Sequence, residues 1–341
     1  MKNKILKIIL CISFLATVCP VQAGVDSWSD IGPAGSWVKT LVFDEEVPHK
    51  LYAGTANGVF YTTDNGVTWT ATPTQPENTD VMSLVKVPSV AGKFYAGTNQ
   101  GVFITTDGGT TWTATPSQPA DLHVSALAID PETTTTLYAG TAEGLFVSVN
   151  SGETWALTTS QPVDHLTIRA LYFDPATPHK LYVGTYVGIF YSTDSGDTWT
   201  ALASQPTRSD PPNPRITAMT FDPRTPAKFY VGTYYEGIFM SMDAGASWTP
   251  LSTQPVDLHI SALLIDTHDV IPMLYAGIYR SSIFTFQNSG CGNHQVETSS
   301  HETCDDGNII SGDGCSATCE TEATPSKTNS ASVAGCSLIP L

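Results

Sequence analysis

The chain has 341 residues and a formal net charge of -17 at pH 7. Its acidic residues are spread along the chain rather than clustered, which argues against nucleic acid or an anionic membrane as the main partner. Thr, Ser, Gly, Pro and aromatic residues dominate and no helical periodicity of useful length occurs, so the composition is that of an all-β protein.

The first 23 residues carry Lys2, Lys4 and Lys7, an apolar run from Ile8 to Val18, and small residues at Val21 and Ala23. This order predicts a signal peptide cleaved after Ala23. The run is shorter than the ~20 residues that span a bilayer as a helix, and Val18 is too large for the position before a lipidated Cys19. The mature chain is therefore expected to be secreted or displayed at the cell surface, with no transmembrane helix. Loss of three lysines takes its charge to -20.

From residue 24 to residue 290 the sequence repeats. The phrase TTDNGVTW at 62–69 returns as TTDGGTTW, SVNSGETW, STDSGDTW and SMDAGASW. Its tryptophans are Trp69, Trp112, Trp155, Trp199 and Trp248, spaced by 43, 43, 44 and 49 residues. That interval is the size of one four-stranded propeller blade. Within each unit, four short apolar or alternating runs are bounded by Gly, Pro or Asp, as strands are. Six first-strand segments occur: VKTLVFD, VMSLVKV, SALAIDP, RALYFDP, TAMTFDP and SALLIDT. The sixth unit lacks a fourth strand, while VDSWSDIGP precedes the first unit and carries Trp28, 41 residues before Trp69. The expected fold is an all-β, six-bladed β-propeller in which this N-terminal strand completes blade six, leaving no open edge.

The repeated phrase then has a structural reading. Asp64, Asp107, Asp194 and Asp243, with Asn150 in the third copy, are expected to accept hydrogen bonds within the turn between strands three and four. The Gly two residues later permits positive φ, and the Trp packs between neighbouring sheets. The pattern Ser/Thr-x-Asp-x-Gly-x-Thr/Ser-Trp resembles the Asp-box, or bacterial neuraminidase repeat. The resemblance covers residues 24 to about 290 and implies the propeller fold. It leaves function open, since such repeats occur in sialidases, xyloglucan-degrading hydrolases, sortilin-type receptors and photosystem II assembly factors. It also implies that a ligand would sit on the face opposite these turns, on the loops from strand four to the next strand one and from strand two to strand three.

On that face, the residue leading into each first strand is Trp37, Asp80, His123, Thr167, Arg215 and His259 in turn. The two histidines lie in near-identical contexts, DLHVSAL and DLHISAL, and with Asp80 form a candidate metal set weighed against simple local packing. The strand two–three loops are more distinctive. Units four to six offer Tyr186, Tyr234, Tyr235, Glu236, Tyr279 and Arg280, where units one to three offer Ala56, Asn57, Asn99, Gln100, Ala142 and Glu143. Tyrosines beside a few charged groups suit a sugar or peptide platform. Residues 204–218, which carry Arg208, Asp210, Arg215 and four prolines, form the longest loop and are expected over the same half of the face.

A sialidase would need three arginines on a carboxylate, a tyrosine nucleophile beside a glutamate, and an acidic proton donor. Arg169, Arg208, Arg215 and Arg280 are placed on the right face and Arg224 away from it; Tyr279 and Glu236 are the candidate pair. The Arg-Ile-Pro signature of that family is absent: the corresponding stretch reads DIGPAGSWVKT, with Lys39 its only cation, and Lys does not replace bidentate arginine recognition. Another glycosidase would need two facing carboxylates, and no motif pairs Glu143, Asp210, Glu236 or Asp257.

Cys291, Cys304, Cys315 and Cys319 crowd into residues 291–322, and four cysteines in a short exported segment read as two disulfides with three possible pairings. The run CGNHQVETSSHETCDDGNIISGDGCSATC resembles a disulfide-rich repeat of myxobacterial-type and pappalysin-like surface proteins. Asp305, Asp306, Asn308 and Asp313 are candidate Ca²⁺ ligands by donor type; no other cofactor is expected. Residues 323–341 read as a flexible tail, whose Gly335-Cys336 resembles the start of a bacterial sorting tail. The expected function is a non-catalytic binding protein for a glycan or a surface or secreted protein. A divergent, sialidase-like glycoside hydrolase and an assembly or scaffold factor are the alternatives.

Overall fold

A computed structural model describes residues 28–287 apart from 34, 78–79, 163–166, 208–213, 256 and 269–271. The expected signal peptide, the cysteine-rich segment with its candidate calcium ligands, and the tail lie outside the described residues, as do Arg208 and Asp210.

The described residues form six four-stranded antiparallel sheets and no helix. Blade one runs Val38–Phe43, Leu51–Thr55, Gly58–Thr62 and Thr70–Ala71, from the channel outward. Blades two to five repeat this order. Blade six takes its fourth strand from the N-terminus: Ser29–Asp30 pairs antiparallel with Ile283–Gln287, Ser29 opposite Thr285 and Asp30 opposite Phe284. The ring is therefore closed by the two ends of the described chain. Trp28 stacks on Phe286 at 5.2 Å, and its Nε1 donates to Thr253 O at 3.1 Å. This copies Trp248, whose Nε1 donates to Ser204 O one blade earlier.

The core is six clusters, one at each blade interface, and each holds one repeat tryptophan. Trp155, for example, packs on Tyr95 and Val102 of blade two together with Leu127 and Phe146 of blade three. The motif Tyr-x-Gly in strand two follows from the same packing. A Cβ on Gly232 would lie 2.4 Å from Ile260 Cγ2, and one on Gly140 2.5 Å from Ile168 Cγ2. Glycine lets the next blade's first strand lie against the sheet. Gly232→Ala is expected to destabilise the protein by about 1–3 kcal/mol through overpacking, read as a lowered melting temperature in calorimetry; an unchanged transition would show slack at this interface.

Each repeat turn is closed by a small network of side-chain and backbone hydrogen bonds. Thr62 Oγ1 donates to Asp64 Oδ1 (2.7 Å) and accepts from Gly66 N (3.0 Å); Asp64 then accepts from Thr68 N (2.9 Å) and Thr68 Oγ1 (2.6 Å). The same set recurs around Asp107, Asp194 and Asp243, and Asn150 reproduces it with its amide.

A second repeated device is the glutamine of the Ser/Thr-Gln-Pro that follows strand four. Gln161 Oε1 accepts from Leu145 N (2.8 Å) while its Nε2 donates to Leu145 O (3.3 Å) and Thr158 Oγ1 (2.8 Å). A side-chain amide thus extends the pairing of strand three past the short outer strand. Gln75, Gln118, Gln205 and Gln254 do the same. Gly144, at φ 129°, sits so close that a Cβ would meet Gln161 Oε1 at 2.5 Å.

Candidate functional site

The first strands line a central channel of about 570 Å³. Its walls are mostly aliphatic, and its hydroxyls are engaged between blades: Ser125 Oγ donates to Ile168 O (2.6 Å), Ser261 Oγ to Val38 O (2.6 Å), and Thr217 Oγ1 to Ile260 O. A polar ligand therefore finds few open partners inside the channel, which leaves its rim.

Antiparallel pairing sends the strand two–three loops and the strand four–one loops to one face, and the repeat turns to the other. The register joins them in blades one, five and six: Ala56 N donates to Trp37 O, Tyr234 N to Arg215 O and Tyr279 N to His259 O, at 3.0–3.1 Å. The residue leading into strand one thus lies beside the first residue of the strand two–three loop. In blades five, six and one this builds a continuous surface of rings and guanidinium groups.

The surface can be followed in order. Arg169 lies over the Tyr186 ring at 5.3 Å, and Arg215 over Tyr186 at 5.7 Å and Tyr235 at 5.3 Å. Tyr235 meets Tyr234 edge-on at 4.4 Å; Tyr234 packs on His259 at 3.6 Å, and His259 stacks on Tyr279 at 4.3 Å. Tyr279 approaches Trp37 at 5.8 Å, and Arg280 covers both, at 5.2 and 4.9 Å. No step from Arg169 in blade four to Trp37 in blade one exceeds 5.8 Å. Tyr235 is 62% exposed and Trp37 39%, so the arc faces solvent.

Arg215 and Arg280 hold positive φ, 40° and 59°, a conformation that costs a non-glycine residue free energy and persists where the surroundings over-determine it. Burial holds the His259 imidazole below its ordinary pKa; Arg280 and Arg169 add to this and Asp257 opposes it. His259 is therefore a neutral ring at pH 7. Burial, helped by Tyr235, Tyr279 and Tyr186, raises the Tyr234 phenol.

Of the residues singled out from sequence, Tyr186, Arg215, Tyr234, Tyr235, Tyr279 and Arg280 come together. Glu236 sits in the same hairpin as Tyr235 and accepts from Thr207 Oγ1 at 3.3 Å, while Tyr279 is engaged by His259, Trp37 and Arg280. Arg224 bonds to Thr267 O on the opposite face. The candidate metal set does not form: Asp80 pairs with Lys39, His259 is stacked between tyrosines, and no three His, Cys, Asp or Glu side chains gather to hold a metal among the described residues. His259, Arg169 and Trp37, which the sequence places on this face as a candidate metal ligand, a candidate carboxylate clamp and a strand-entry residue, join the arc as well. The register between the residue before strand one and the strand two–three loop is the signal that places His259 and Trp37 there.

Residues 37–275 match the DUF6242 beta propeller domain. The chain belongs to that family. No curated protein matches it significantly. Among solved structures it is similar to the GH74 xyloglucanase from Xanthomonas campestris, at 15% identity and a TM-score of 0.56, over 76% of this chain and 53% of that one. It is also similar to the extracellular domain of BT4673 from B. thetaiotaomicron, described as a hybrid two component system: 15% identity, TM-score 0.54, 76% of this chain and 40% of that one. YCF48 from Cyanidioschyzon merolae aligns at 12% identity and TM-score 0.52, over 76% of this chain and 98% of that one. The chain thus spans about half or less of the first two proteins. At these identities the likeness is one of fold.

Proposed function

We propose that the protein is an exported or surface-displayed, non-catalytic binding protein that recognises a glycan or a protein through the arc from Tyr186 to Trp37. The observation that carries this reading is the arc's continuity: exposed rings and cations from four blades touch in sequence on the face away from the repeat turns. Aromatic and arginine side chains of this kind dominate binding energy at recognition surfaces. The Asp-box resemblance and the similarity to an extracellular sensor domain agree with an extracellular setting.

A glycoside hydrolase is the second reading, favoured by the similarity to a xyloglucanase and by the presence of Glu236 beside the arc. The two readings separate in one experiment. The purified mature chain is incubated with xyloglucan and with a panel of acidic and neutral polysaccharides, and both retention and product release are measured. The expected result is retention without product release. Tyr235→Ala is expected to weaken retention about 5–30-fold, the loss of one aromatic anchor, with an unchanged melting temperature because the ring is exposed. Sustained product release abolished by Glu236→Gln would replace the binding reading with the hydrolase.

A further inference from the structure

We infer that the ligand of this face is an acidic polysaccharide, its carboxylate or sulfate groups held by Arg169, Arg215 and Arg280. The inference rests on the proposed binding role of the arc and names the chemistry it selects.

Three observations support it. First, the charge is out of character for the chain. In a protein of net charge -17, three guanidinium groups occupy one face, and none of them forms an ion pair among the described residues, where the ion pairs belong to Lys and His. An arginine on an acidic protein normally finds a carboxylate. Three that do not, spaced along one arc of the rim, raise the local potential there and favour a polyanion on an otherwise repelling surface.

Second, each guanidinium lies over an aromatic ring: Arg169 and Arg215 over Tyr186, Arg215 over Tyr235, Arg280 over Trp37 and Tyr279. A ring beneath the guanidinium leaves its N–H edges to grip an anion bidentately. It also fixes the side chain before binding, so less entropy is lost when the ligand arrives.

Third, the order of groups is that of a ladder. Cation, ring, cation and ring follow one another from Arg169 to Tyr235, then rings lead on through His259 to Tyr279 and Arg280. A linear polymer with anionic groups along sugar rings matches an alternating row: sugar faces lie on tyrosines while acidic groups meet arginines. The neutral state of His259 adds an apolar face to the middle of the row.

The test uses paired probes that share a backbone. Binding of the full mature chain is measured by titration calorimetry with polygalacturonate, with its fully methyl-esterified form, with dextran sulfate and with dextran. At least one charged polymer is expected to bind ten-fold or more tighter than its neutral partner. That preference should fall as NaCl rises from 50 to 300 mM, and should shrink five-fold or more in Arg215→Gln and Arg280→Gln, both checked for an unchanged melting temperature. The uronate and sulfate arms identify which anion is the source. Equal binding of charged and neutral partners, lost in Tyr235→Ala but not in the arginine variants, overturns the acidic ligand and keeps the glycan platform. Binding to none of the four overturns the inference, while retention on xyloglucan would keep the glycan reading of the face.

Discussion

A mature chain shortened to begin after Ile31 is expected to lose the folded propeller, and Trp28→Ala alone to weaken it substantially. Residues 28–31 complete blade six: Ser29 and Asp30 pair with Thr285 and Phe284, Ile31 N donates to Ile283 O at 2.9 Å, and Asp30 accepts from Ser282 Oγ and from Gly32 N. They also serve blade one, where Trp69 Nε1 donates to Ile31 O at 2.6 Å. Removing them opens one interface of a closed ring, exposes the edge of Ile283–Gln287, and uncovers Phe284 and Phe286, which are buried in the intact protein. An exposed apolar edge strand pairs with other chains, so the shortened protein should aggregate. For Trp28→Ala, loss of a half-buried ring and one hydrogen bond is worth about 2–3 kcal/mol, below the cost of truncating a fully buried Trp. At this domain size that lowers the melting temperature by about 5–10 °C. Calorimetry and light scattering read both. A shortened chain that stays monomeric and melts with the parent would show that the clasp does not close the ring.

This clasp was legible because Trp28 repeats the spacing of the other tryptophans and blade six visibly lacks a strand. The blade count was legible for the same reason: each unit carries its own turn, its own Tyr-x-Gly and its own Trp. The fourth strand is less so. Sequence suggests a strand through the Trp, but the paired residues are two per blade, such as Ala156–Leu157. The rest of the outer edge is held by a glutamine side chain, and a Gln-Pro pair in a loop carries no strand signal by itself. Its role appears only when Leu145 N and O are seen to find partners there.

The candidate site was half legible. Tyr186, Tyr234, Tyr235, Tyr279, Arg215 and Arg280 stand out because their units differ from units one to three in the same loop. The sequence places His259 on the same face but pairs it with His123 as a metal candidate, since the two sit in near-identical phrases. The difference lies in the neighbours. His259 meets Tyr234 and Tyr279, whereas beside His123 the strand two–three loop offers Ala142 and Glu143, both exposed and both bonded through their N–H groups to Asp121. Identical local sequence thus gives a stacked aromatic in one blade and a plain turn in the other. What decides is register against a second loop, information that lies outside the phrase itself.

Acid should unfold the protein in two windows that single substitutions can separate. The turn carboxylates of Asp64, Asp194 and Asp243 are held at about 2, against an ordinary value of 3.8, chiefly by hydroxyl donors from Thr68 and Thr62, Thr198 and Ser192, and Ser247 and Ser241. Asp107 is lowered as well, first by the Thr111 N–H. A folded-state pKa below the unfolded one means that the unfolded chain binds more protons as pH falls. The stabilisation is complete above the ordinary value and is lost between about 4 and about 2. His259, lowered from 6.5, has the same sign in a higher window: stability falls as pH drops below 6.5, because the unfolded imidazole takes up a proton that the buried ring resists. Melting temperature against pH should therefore decline gently below 6.5 and steeply below 4. His259→Gln should remove the upper step and leave the lower one. Asp64→Asn, Asp194→Asn and Asp243→Asn combined should flatten the lower step, since Asn150 already makes the same turn without a titrating group, its Oδ1 accepting from Thr154 N at 2.9 Å. A lower step that persists undiminished in the triple variant would place the acid sensitivity outside these turns.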